Sequence, residues 1–224
     1  MNSISEFNYT KECIFFRKKP KTYSGVQPFK SLINYKPDFD FKKIKINEVG
    51  RYSITRPYEA KQITNIIRKC LTRYGKFPEE SVITDGTSGV GGDTIHLSKH
   101  FKRVIAVDIL NENTDLLQTN CETFGITNVT IINADYTEIL NDITQDVLYL
   151  DPPWGGIGYK EKDVVDLTIS GILLSEIIKR VDPGVIIFVK LPLNANVSRL
   201  GVKSKVKILN KKNTPSFYLV EISR

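Results

Sequence analysis

The sequence predicts an α/β fold in which a mostly parallel sheet carries helices on both faces, and two features of the chain lead to this prediction. Short runs rich in β-branched and aromatic residues alternate with segments of helical periodicity, as in chains whose parallel strands are joined by helices. The length of 224 residues is enough for one such domain with a full hydrophobic core. The predicted parallel strands cover residues 82–83, 104–107, 129–132, 147–150 and 185–189.

The elements before and after these strands follow from the same kind of pattern. A helix is predicted near 57–74, because Pro57 suits a first helical turn and apolar residues then recur at helical spacing. Near the end of the chain, residues 202–209 and 216–222 flank a polar segment that contains Pro215, which predicts an antiparallel hairpin at the edge of the sheet.

Residues 1–50 mix aromatic and basic side chains without a helical or strand period. We therefore expect an N-terminal arm or extension there and the folded domain at 51–224. No secretory signal and no apolar stretch of membrane-spanning length are visible, which predicts an intracellular protein, in the nucleus or the cytoplasm, that enters no membrane. The three cysteines and two histidines are scattered, so we expect neither a disulfide framework nor a metal site.

The basic charge of the chain is concentrated at its two ends. Residues 1–51 carry 11 basic and 5 acidic side chains and residues 199–224 carry 7 and 1, whereas residues 52–198 carry 14 and 19. Basic flanks are typical of proteins that grip the phosphates of a nucleic acid, which favours a nucleic acid as the partner. The alternative is that the lysines serve solubility and reflect the A/T-rich genome of a parasite or a large DNA virus.

A glycine-rich turn between the first predicted parallel strand and a helix indicates a cofactor site at residues 85–94, where backbone N–H groups can meet a ligand. A dinucleotide fingerprint would need its third glycine at the position of Thr94, so a nicotinamide cofactor is disfavoured. Acidic residues also end the next two predicted strands, at the edge where doubly wound folds bind a ribose. Taken singly, each aspartate could cap a helix instead. Their repetition is typical of methyltransferases that use S-adenosylmethionine, and the cofactor-binding candidates are Asp85, Gly86, Thr87, Gly89, Gly91, Asp93, Thr94, Asp108, Asp135 and Asp151.

The fourth predicted parallel strand leads into the sequence Asp-Pro-Pro-Trp-Gly-Gly, which begins at Asp151. Two successive prolines lack N–H groups and have a fixed φ, so their carbonyls are held in one orientation and can accept hydrogen bonds from an exocyclic amine. The indole of Trp154 offers a flat face for a purine, although a lone tryptophan after a strand more often serves packing. We therefore expect methylation of a base amine at this loop, with catalytic residues Asp151, Pro152, Pro153 and Trp154.

Four segments of the chain resemble the trimethylguanosine synthases, which methylate N2 of 7-methylguanosine RNA caps. Residues 151–156 look like the family's Pro-Pro-Trp-Gly-Gly catalytic loop, which is the most specific signal. Residues 51–55, 85–94 and 191–194 are similar to the family's segment before the first helix, its cofactor turn and its Leu-Pro-Arg-Asn strand end. The resemblance implies a seven-stranded Rossmann-like class I methyltransferase sheet, a contact of Thr55 with the cofactor, and a cap site formed by Phe39, Tyr52, Ser53, Trp154, Lys190 and Asn194.

Three positions depart from the family pattern. Asp151 stands where animal members carry serine, but aspartate is the usual residue in the broader group of amino-methyltransferases. Leu193 stands where the family often has arginine, so we expect Lys190 or a lysine of the arm to contact a cap phosphate instead. Arg51 replaces an aromatic residue, and stacking near the cap is then expected from Tyr52 or Phe39.

The sequence thus predicts a monomeric, metal-independent enzyme that transfers methyl groups from S-adenosylmethionine to N2 of a 7-methylguanosine cap on RNA, giving a 2,7-dimethyl or 2,2,7-trimethyl cap. Other readings of the same residues stay open. The loop would also serve the N6 amine of adenine or an internal guanine N2 amine in RNA or DNA. A further interpretation is a cap-binding module without catalysis, but the glycine turn and Asp151 favour an enzyme. Ser53 and Thr55 are as well suited to capping the following helix as to contacting a ligand.

Overall fold

The computed structural model of the protein describes residues 21–24, 40–161, 163–165, 167–211 and 214–224. Most of the predicted N-terminal arm, including the expected cap residue Phe39, lies outside these residues. The strands are β1 Thr22–Ser24, β2 Lys45–Asn47, β3 Val82–Asp85, β4 Arg103–Asp108, β5 Val129–Asn133, β6 Val147–Leu150, β7 Thr168–Ile169, β8 Ile172–Leu173, β9 Ile186–Leu191, β10 Ser204–Lys211 and β11 Thr214–Ile222. The helices are α1 Gly50–Ser53, α2 Pro57–Arg73, α3 Thr94–Leu97, α4 Asn111–Phe124, α5 Tyr136–Ile139 and α6 Leu174–Arg180.

A seven-stranded sheet forms the centre of the domain, in the order β10-β11-β9-β6-β3-β4-β5. Strands β3, β4, β5, β6 and β9 pair in parallel, whereas β11 runs antiparallel to β9 and forms a hairpin with β10. The predicted sheet and hairpin are therefore confirmed, and the predicted helix near 57–74 is α2. Because the parallel strands all end on the same side, the segments that follow them meet at one edge of the sheet.

Hydrophobic clusters cover both faces of the sheet. On one face, Ile63 and Ile67 of α2 pack against β3, β4, β6 and β9. On the other face, Ile177 and Ile178 of α6 pack against the same central strands. All four residues of β6 are buried, as expected for a central parallel strand that has helices on both sides. This double covering explains why the strands are visible in the sequence as continuous apolar runs.

The described end of the predicted arm is folded onto the domain. Strands β1 and β2 form a small antiparallel sheet, and Ile44 and Ile46 are fully buried beside Val90, Ile95 and Leu116. The sequence shows no strand period in this segment, yet residues 22–24 and 45–47 form strands. Each of these strands has three residues, which is too short for a period to be visible in the sequence. The domain boundary at residue 50 stays a prediction.

Two local assignments near the site also differ from the expectation. Strand β5 ends at Asn133, so Asp135 does not end the strand but caps α5, where its carboxylate accepts a hydrogen bond from the Thr137 backbone N–H. The N-cap of α2 is Arg56, and Thr55 lies in the segment before it. The side chain of Thr55 is thereby left for contacts within the cleft described below.

Asn120 of α4 fixes the small sheet in place. Its buried side-chain amide accepts a hydrogen bond from the Lys45 N–H at 2.8 Å and donates to the carbonyls of Lys45 at 2.9 Å and Val90 at 3.0 Å. One side chain therefore connects β2, α4 and the turn that follows β3. Buried backbone groups that lose such partners are costly, at about 1–3 kcal/mol each.

We expect Asn120→Leu to lower the free energy of unfolding by about 2–4 kcal/mol. Leucine fills a similar volume but cannot form hydrogen bonds, so the backbone groups that Asn120 contacts lose their partner. Urea denaturation measures this change, and limited proteolysis near residues 21–47 reports whether the small sheet detaches. The control is Asn111→Leu at the exposed start of the same helix, which should change stability by less than about 0.5 kcal/mol. Equal effects of the two substitutions would contradict the assigned role of Asn120.

Candidate active site

A cleft of about 880 Å³ opens at the carboxyl edge of the parallel strands. The segments after β3, β4, β6 and β9 line it, together with residues before α2. The residues predicted for the cofactor and the cap line this cleft, apart from Gly91 and Thr94, which are not at its surface, and Phe39, which lies outside the described residues. A cleft of this size is typical of sites for nucleotide-sized ligands.

The glycine turn after β3 is held by the aspartate at the end of the neighbouring strand. The Asp108 carboxylate accepts hydrogen bonds from the backbone N–H of Gly89 at 2.8 Å and of Leu110 at 2.9 Å. Gly89 has a φ of +52°, and a side chain added there would point into open space within the cleft. The turn therefore presents backbone rather than side chains to a ligand at this point.

Gly92 is a residue of this turn that the sequence interpretation missed. A Cβ atom added at Gly92 would lie 2.7 Å from Cγ1 of Ile54 and 2.9 Å from the backbone oxygen of Thr55. The absence of a side chain thus allows the segment before α2 to cross directly over the cofactor turn. The second glycine of the Gly-Gly pair was the available signal, but only the packing gives it this meaning.

Buried carboxylates form the floor of the cleft at Asp85 and Asp93. The Thr94 hydroxyl donates to Asp85 at 2.6 Å, and the Tyr149 hydroxyl donates to Asp93 at 3.1 Å. Burial, together with the nearby Asp93 charge, raises the pKa of Asp85 from 3.8 to about 8. Burial also raises the pKa of Asp93 to about 6, although the positive charge of Lys190 opposes this increase. Tyr149 was not predicted as a site residue, because a tyrosine inside an apolar strand resembles any other core aromatic.

The other two predicted ribose-side aspartates lie at the same edge. Burial raises the pKa of Asp108, whose carboxylate also accepts a hydrogen bond from the Asn113 side chain at 3.0 Å. Asp135 is buried and accepts hydrogen bonds from the backbone and the hydroxyl of Thr137 through Oδ1. Both residues line the cleft beside Ile109, an exposed apolar side chain that offers a surface to a flat ring.

Asp151 follows β6, and both its backbone and its carboxylate are held by neighbouring residues. Its backbone N–H donates to the Thr87 hydroxyl at 2.8 Å, which ties the catalytic loop to the cofactor turn. Its Oδ2 accepts a hydrogen bond from Nζ of Lys190 at 2.7 Å and one from the Thr55 hydroxyl at 3.4 Å. Lys190 Nζ also donates to the Thr55 hydroxyl at 2.7 Å. The three side chains therefore form one closed hydrogen-bonded group.

The ionisation of this group reflects both burial and pairing. Burial raises the pKa of Asp151, and the Lys190 ammonium opposes that increase. For Lys190, burial alone would lower the pKa, but the neighbouring carboxylates of Asp151 and Asp93 outweigh it and raise the pKa. Lys190 thus remains an ammonium directed at Asp151. The ammonium faces the Asp151 carboxylate in the structure, whereas the expected contact with a cap phosphate would require it to face an RNA ligand.

The loop after Asp151 forms an aromatic corner of the cleft. Pro152 is buried and Pro153 is exposed, and the left-handed φ values of Gly155 and Gly156, +92° and +74°, turn the chain away after the tryptophan. Trp154 is partly buried and packs against the hydrophobic clusters on both sides of the sheet. The indole therefore serves packing with part of its surface and lines the cleft with the rest.

Two neighbours set the orientation of the Trp154 ring. The ring of Tyr159 meets it edge-on, with centroids 5.2 Å apart, and Lys190 Nζ lies 5.5 Å from the indole centroid. The Asn194 amide, expected at the cap, donates to the Tyr159 carbonyl at 2.8 Å and so braces the loop. The role of Tyr159 was not predicted, and no local pattern distinguishes it from a surface loop residue.

The segment before α2 supplies the opposite wall. Tyr52 is exposed and lines the cleft, as expected of a stacking residue. The Ser53 hydroxyl donates to the Val49 carbonyl within α1, although the residue also lines the cleft. Glu59 in the first turn of α2 lines it as well and was missed, because its position suits a helix start equally well.

The cleft suits a cofactor that carries positive charge and polar groups. Within the described part of the chain, Oδ1 of Asp85, Oδ1 of Asp93 and Oγ of Ser88 are buried without a hydrogen-bond partner. Such groups are costly unless a ligand satisfies them. S-Adenosylmethionine carries a sulfonium, an ammonium and ribose hydroxyls, which match an acidic cleft of this kind. Among the described residues, no cluster of His, Cys, Asp or Glu could hold a metal ion.

The raised pKa of Asp85 makes the stability of the cofactor-free protein dependent on pH. Between its unfolded value of 3.8 and its folded value of about 8, the folded state holds a proton that the unfolded state has lost. The contribution of this group is therefore fully present below the unfolded value and is lost as the pH rises toward about 8. We expect the wild-type free energy of unfolding to fall, relative to that of Asp85→Asn, by up to about 1.4 kcal/mol per pH unit in this window.

Chemical denaturation of both proteins between about pH 5 and 8 measures this difference. The exposed residue Asp163 provides the control, because Asp163→Asn should leave the pH dependence of the wild type unchanged. A difference between wild type and Asp85→Asn that stays constant with pH would show that Asp85 does not hold a proton in the folded protein.

Solved structures with a similar fold are methyltransferases. The 16S rRNA N2 methyltransferase of T. thermophilus, solved in complex with AdoMet and guanosine, superposes with a TM-score of 0.61 at 16% identity over 80% of this chain and 46% of its own. A precorrin methyltransferase of Geobacter metallireducens gives a TM-score of 0.56 at 17% identity, over 78% of this chain and 91% of its own. At these identities the likeness shows the fold.

The described residues contain no helix whose length and apolar character would let it span a membrane.

Comparison of sequences, unlike comparison of folds, identifies the family. An uncharacterised protein of Acanthamoeba polyphaga mimivirus is 26% identical over 81% of this chain and 80% of its own. The trimethylguanosine synthases of Saccharomyces cerevisiae and Schizosaccharomyces pombe are 26% and 29% identical over 66% and 58% of this chain, which spans only 48% and 58% of their lengths. The family model for RNA cap guanine-N2 methyltransferases matches residues 80–220, more than half of the chain. This protein therefore belongs to the RNA cap guanine-N2 methyltransferase family and is a methyltransferase that uses S-adenosylmethionine.

Proposed function

We propose that this protein methylates the exocyclic N2 amine of 7-methylguanosine in RNA caps. The observation that carries the proposal is the orientation of Asp151 beside the cofactor turn. Lys190 and Thr55 both contact Oδ2, so within the described part of the chain Oδ1 has no partner and remains available to a ligand. The Asp151 side chain is 18% exposed and lines the cleft, so a ligand in the cleft can contact it.

The chemistry of an aryl amine explains why a fixed acceptor is needed. The lone pair of the guanine amine is delocalised into the ring, so the amine is a weak nucleophile. Hydrogen bonds from the amine to Oδ1 of Asp151 and to the Pro152 carbonyl would localise that lone pair and aim it into the cleft. S-Adenosylmethionine supplies a methyl group on a sulfonium when it is bound. Asp151 is also the nearest base for the proton that N2 loses after transfer.

Lys190 acts as a positioning residue for this carboxylate. Its ammonium opposes the increase that burial causes in the pKa of Asp151, and it occupies one carboxylate oxygen, so that the other is left for the substrate. Both side chains of the ion pair are largely buried, and a buried pair with good geometry loses several kcal/mol when one partner is removed. The function of the loop therefore depends on a residue that lies 39 positions later in the chain.

Trp154 and Tyr159 favour a cap that already carries the 7-methyl group. A 7-methylguanine is positively charged, and an indole face attracts such a ring by a cation–π contribution of about 0.5–2 kcal/mol. The adenine N6 amine and the N2 amine of an internal guanine could reach the same carboxylate, but neither base carries this charge. Preference for the 7-methyl form is thus the property that separates the proposed substrate from the alternatives.

Substitution of Trp154 tests the cap assignment. We expect Trp154→Ala to weaken binding of a 7-methylguanosine cap dinucleotide by roughly tenfold or more and to leave S-adenosylmethionine binding within about twofold, because only the cap contacts the indole face. Isothermal titration calorimetry measures both constants. Trp154→Phe retains a ring and should retain most of the preference for the 7-methyl cap. Equal weakening of cap and cofactor binding would contradict the assignment.

Substitution of Lys190 tests the positioning role. We expect Lys190→Met to raise the pKa of Asp151 further, so that methyl transfer is lost at a higher pH as the pH falls, and to lower kcat at neutral pH by about 10- to 100-fold. The pH profile of kcat measures this shift.

Lys190→Arg keeps the charge and should leave the acid limb of the profile near its wild-type position. The control is Lys160→Met, the same chemical change at another lysine of the cleft that makes no contact with Asp151. Coincident acid limbs for Lys190→Met and Lys160→Met would refute the role of Lys190.

A further inference from the structure

The exposed face of α2 carries basic and aromatic side chains that the proposed reaction does not use. Around the helix axis, at about 100° per residue, the side chains of Tyr58, Lys61, Arg68 and Lys69 fall within one sector of roughly 100°. We call these four residues the α2 surface. Tyr58 is 56% exposed, and Lys61 and Lys69 are exposed as well. Glu59 is the only acidic residue in the sequence of α2, and it lines the cleft instead of this face.

The end of α3 extends the positive charge of this surface. Lys99 and His100 follow α3, and the rings of His96 and His100 lie 5.7 Å apart. Besides burial, which has the largest effect, the charges of Lys99 and Lys61 help to lower the pKa of His96 to about 4. Burial and the charges of Arg68 and Lys99 lower the pKa of His100. Lys61 and Lys99 both act on His96, and Arg68 and Lys99 both act on His100, so Lys99 lies near the α2 surface.

Among the described residues, no acidic side chain forms an ion pair with Lys61 or Arg68 of the α2 surface. The ion pairs of the described residues join Arg73 and Lys205 to Glu221, Lys76 to Asp146, and Lys190 to Asp151. Lys61 and Arg68 take part in none of them. Clustered cations without acidic partners repel one another, and this repulsion is relieved when a polyanion binds.

The surface begins at the mouth of the cleft. Arg56, which caps α2, lines the cleft, and Tyr58 follows two positions later with its hydroxyl accepting a hydrogen bond from Gln62 at 2.8 Å. From Tyr58 the helix carries the surface about 15 Å away from the cleft to Arg68. An exposed tyrosine followed by cations is the combination with which proteins bind single-stranded RNA, through base stacking and phosphate contacts.

We propose that the α2 surface binds the single-stranded RNA chain that follows the methylated nucleotide, with Tyr58 stacking on a base and Lys61 and Arg68 contacting phosphates. This inference rests on the proposed function for the position of the methylated nucleotide in the cleft. It makes the enzyme selective for capped RNA over the isolated cap, because the cleft holds only the cap and the α2 surface holds the chain attached to it.

The test compares two substrates that differ only in RNA length. A 7-methylguanosine cap dinucleotide reaches the cleft alone, whereas a capped RNA of roughly ten nucleotides reaches the α2 surface as well. The variant Lys61→Glu/Arg68→Glu should raise KM for the longer RNA about tenfold and change KM for the dinucleotide by less than about twofold. The variant Lys61→Gln/Arg68→Gln removes two positive charges without adding negative ones. It should lower the slope of log Kd against log salt by about two.

The matched control is Arg103→Glu/Lys179→Glu, an equal change of charge at two exposed residues, one at the start of β4 and one in α6, that do not line the cleft. This control should leave the difference between the two substrates unchanged. Equal KM values of the wild type for both substrates would overturn the inference, and so would an equal loss on both substrates in the α2 variant. The salt dependence of RNA binding needs no turnover, so a failure of cap methylation and a failure of the α2 surface are distinguishable.

Discussion

The buried ion pair between Asp151 and Lys190 is the constraint on which the site depends. Leu150 of β6 and Val189 of β9 are direct partners in the parallel register, so the next residue of each strand brings the carboxylate and the ammonium together at 2.7 Å. Thr55 joins the pair from the segment before α2. Burial of two charges is costly unless both are well paired, and this cost is offset only when all three segments are in place. The fold of the sheet edge thus determines the geometry of the proposed catalytic carboxylate.

The acidic cleft shows a conflict between stability and function. Asp85 and Asp93 are buried within the same floor, and burial raises the pKa of both carboxyl groups. Burying several acids together weakens the cofactor-free protein, but it prepares a surface that a positively charged ligand relieves. The energy that a cationic cofactor gains in the cleft is in part the repulsion that the empty cleft contains. On the outside of the domain, the clustered basic side chains of helix α2 repel one another in the same way, and a bound polyanion relieves that repulsion.

The sequence predicted the elements that depend on local pattern. The central strands are visible because helices cover both of their faces, and the turn at 85–94 and the loop at 151–156 are visible because glycine and proline positions restrict the backbone. Contacts that depend on strand register could not be predicted from the sequence. Lys190 was recognised as a site residue by family resemblance, but its pairing with Asp151 follows only from the alignment of β6 with β9. The roles of Asn120 and Gly92 could not be predicted, because they arise where segments from distant parts of the chain cross, even though the Gly-Gly pair is visible in the sequence.

The most direct test of the account identifies the methylated nucleoside. The protein is incubated with radiolabelled S-adenosylmethionine and, in parallel, with 7-methyl-GpppA, GpppA and uncapped RNA, and the labelled nucleosides are separated and identified by mass spectrometry. The account predicts label on the 7-methyl cap alone, recovered as 2,7-dimethylguanosine or 2,2,7-trimethylguanosine. Label on adenine, or on an internal guanine of the uncapped RNA, would retain the fold and the catalytic loop and would contradict the cap as substrate.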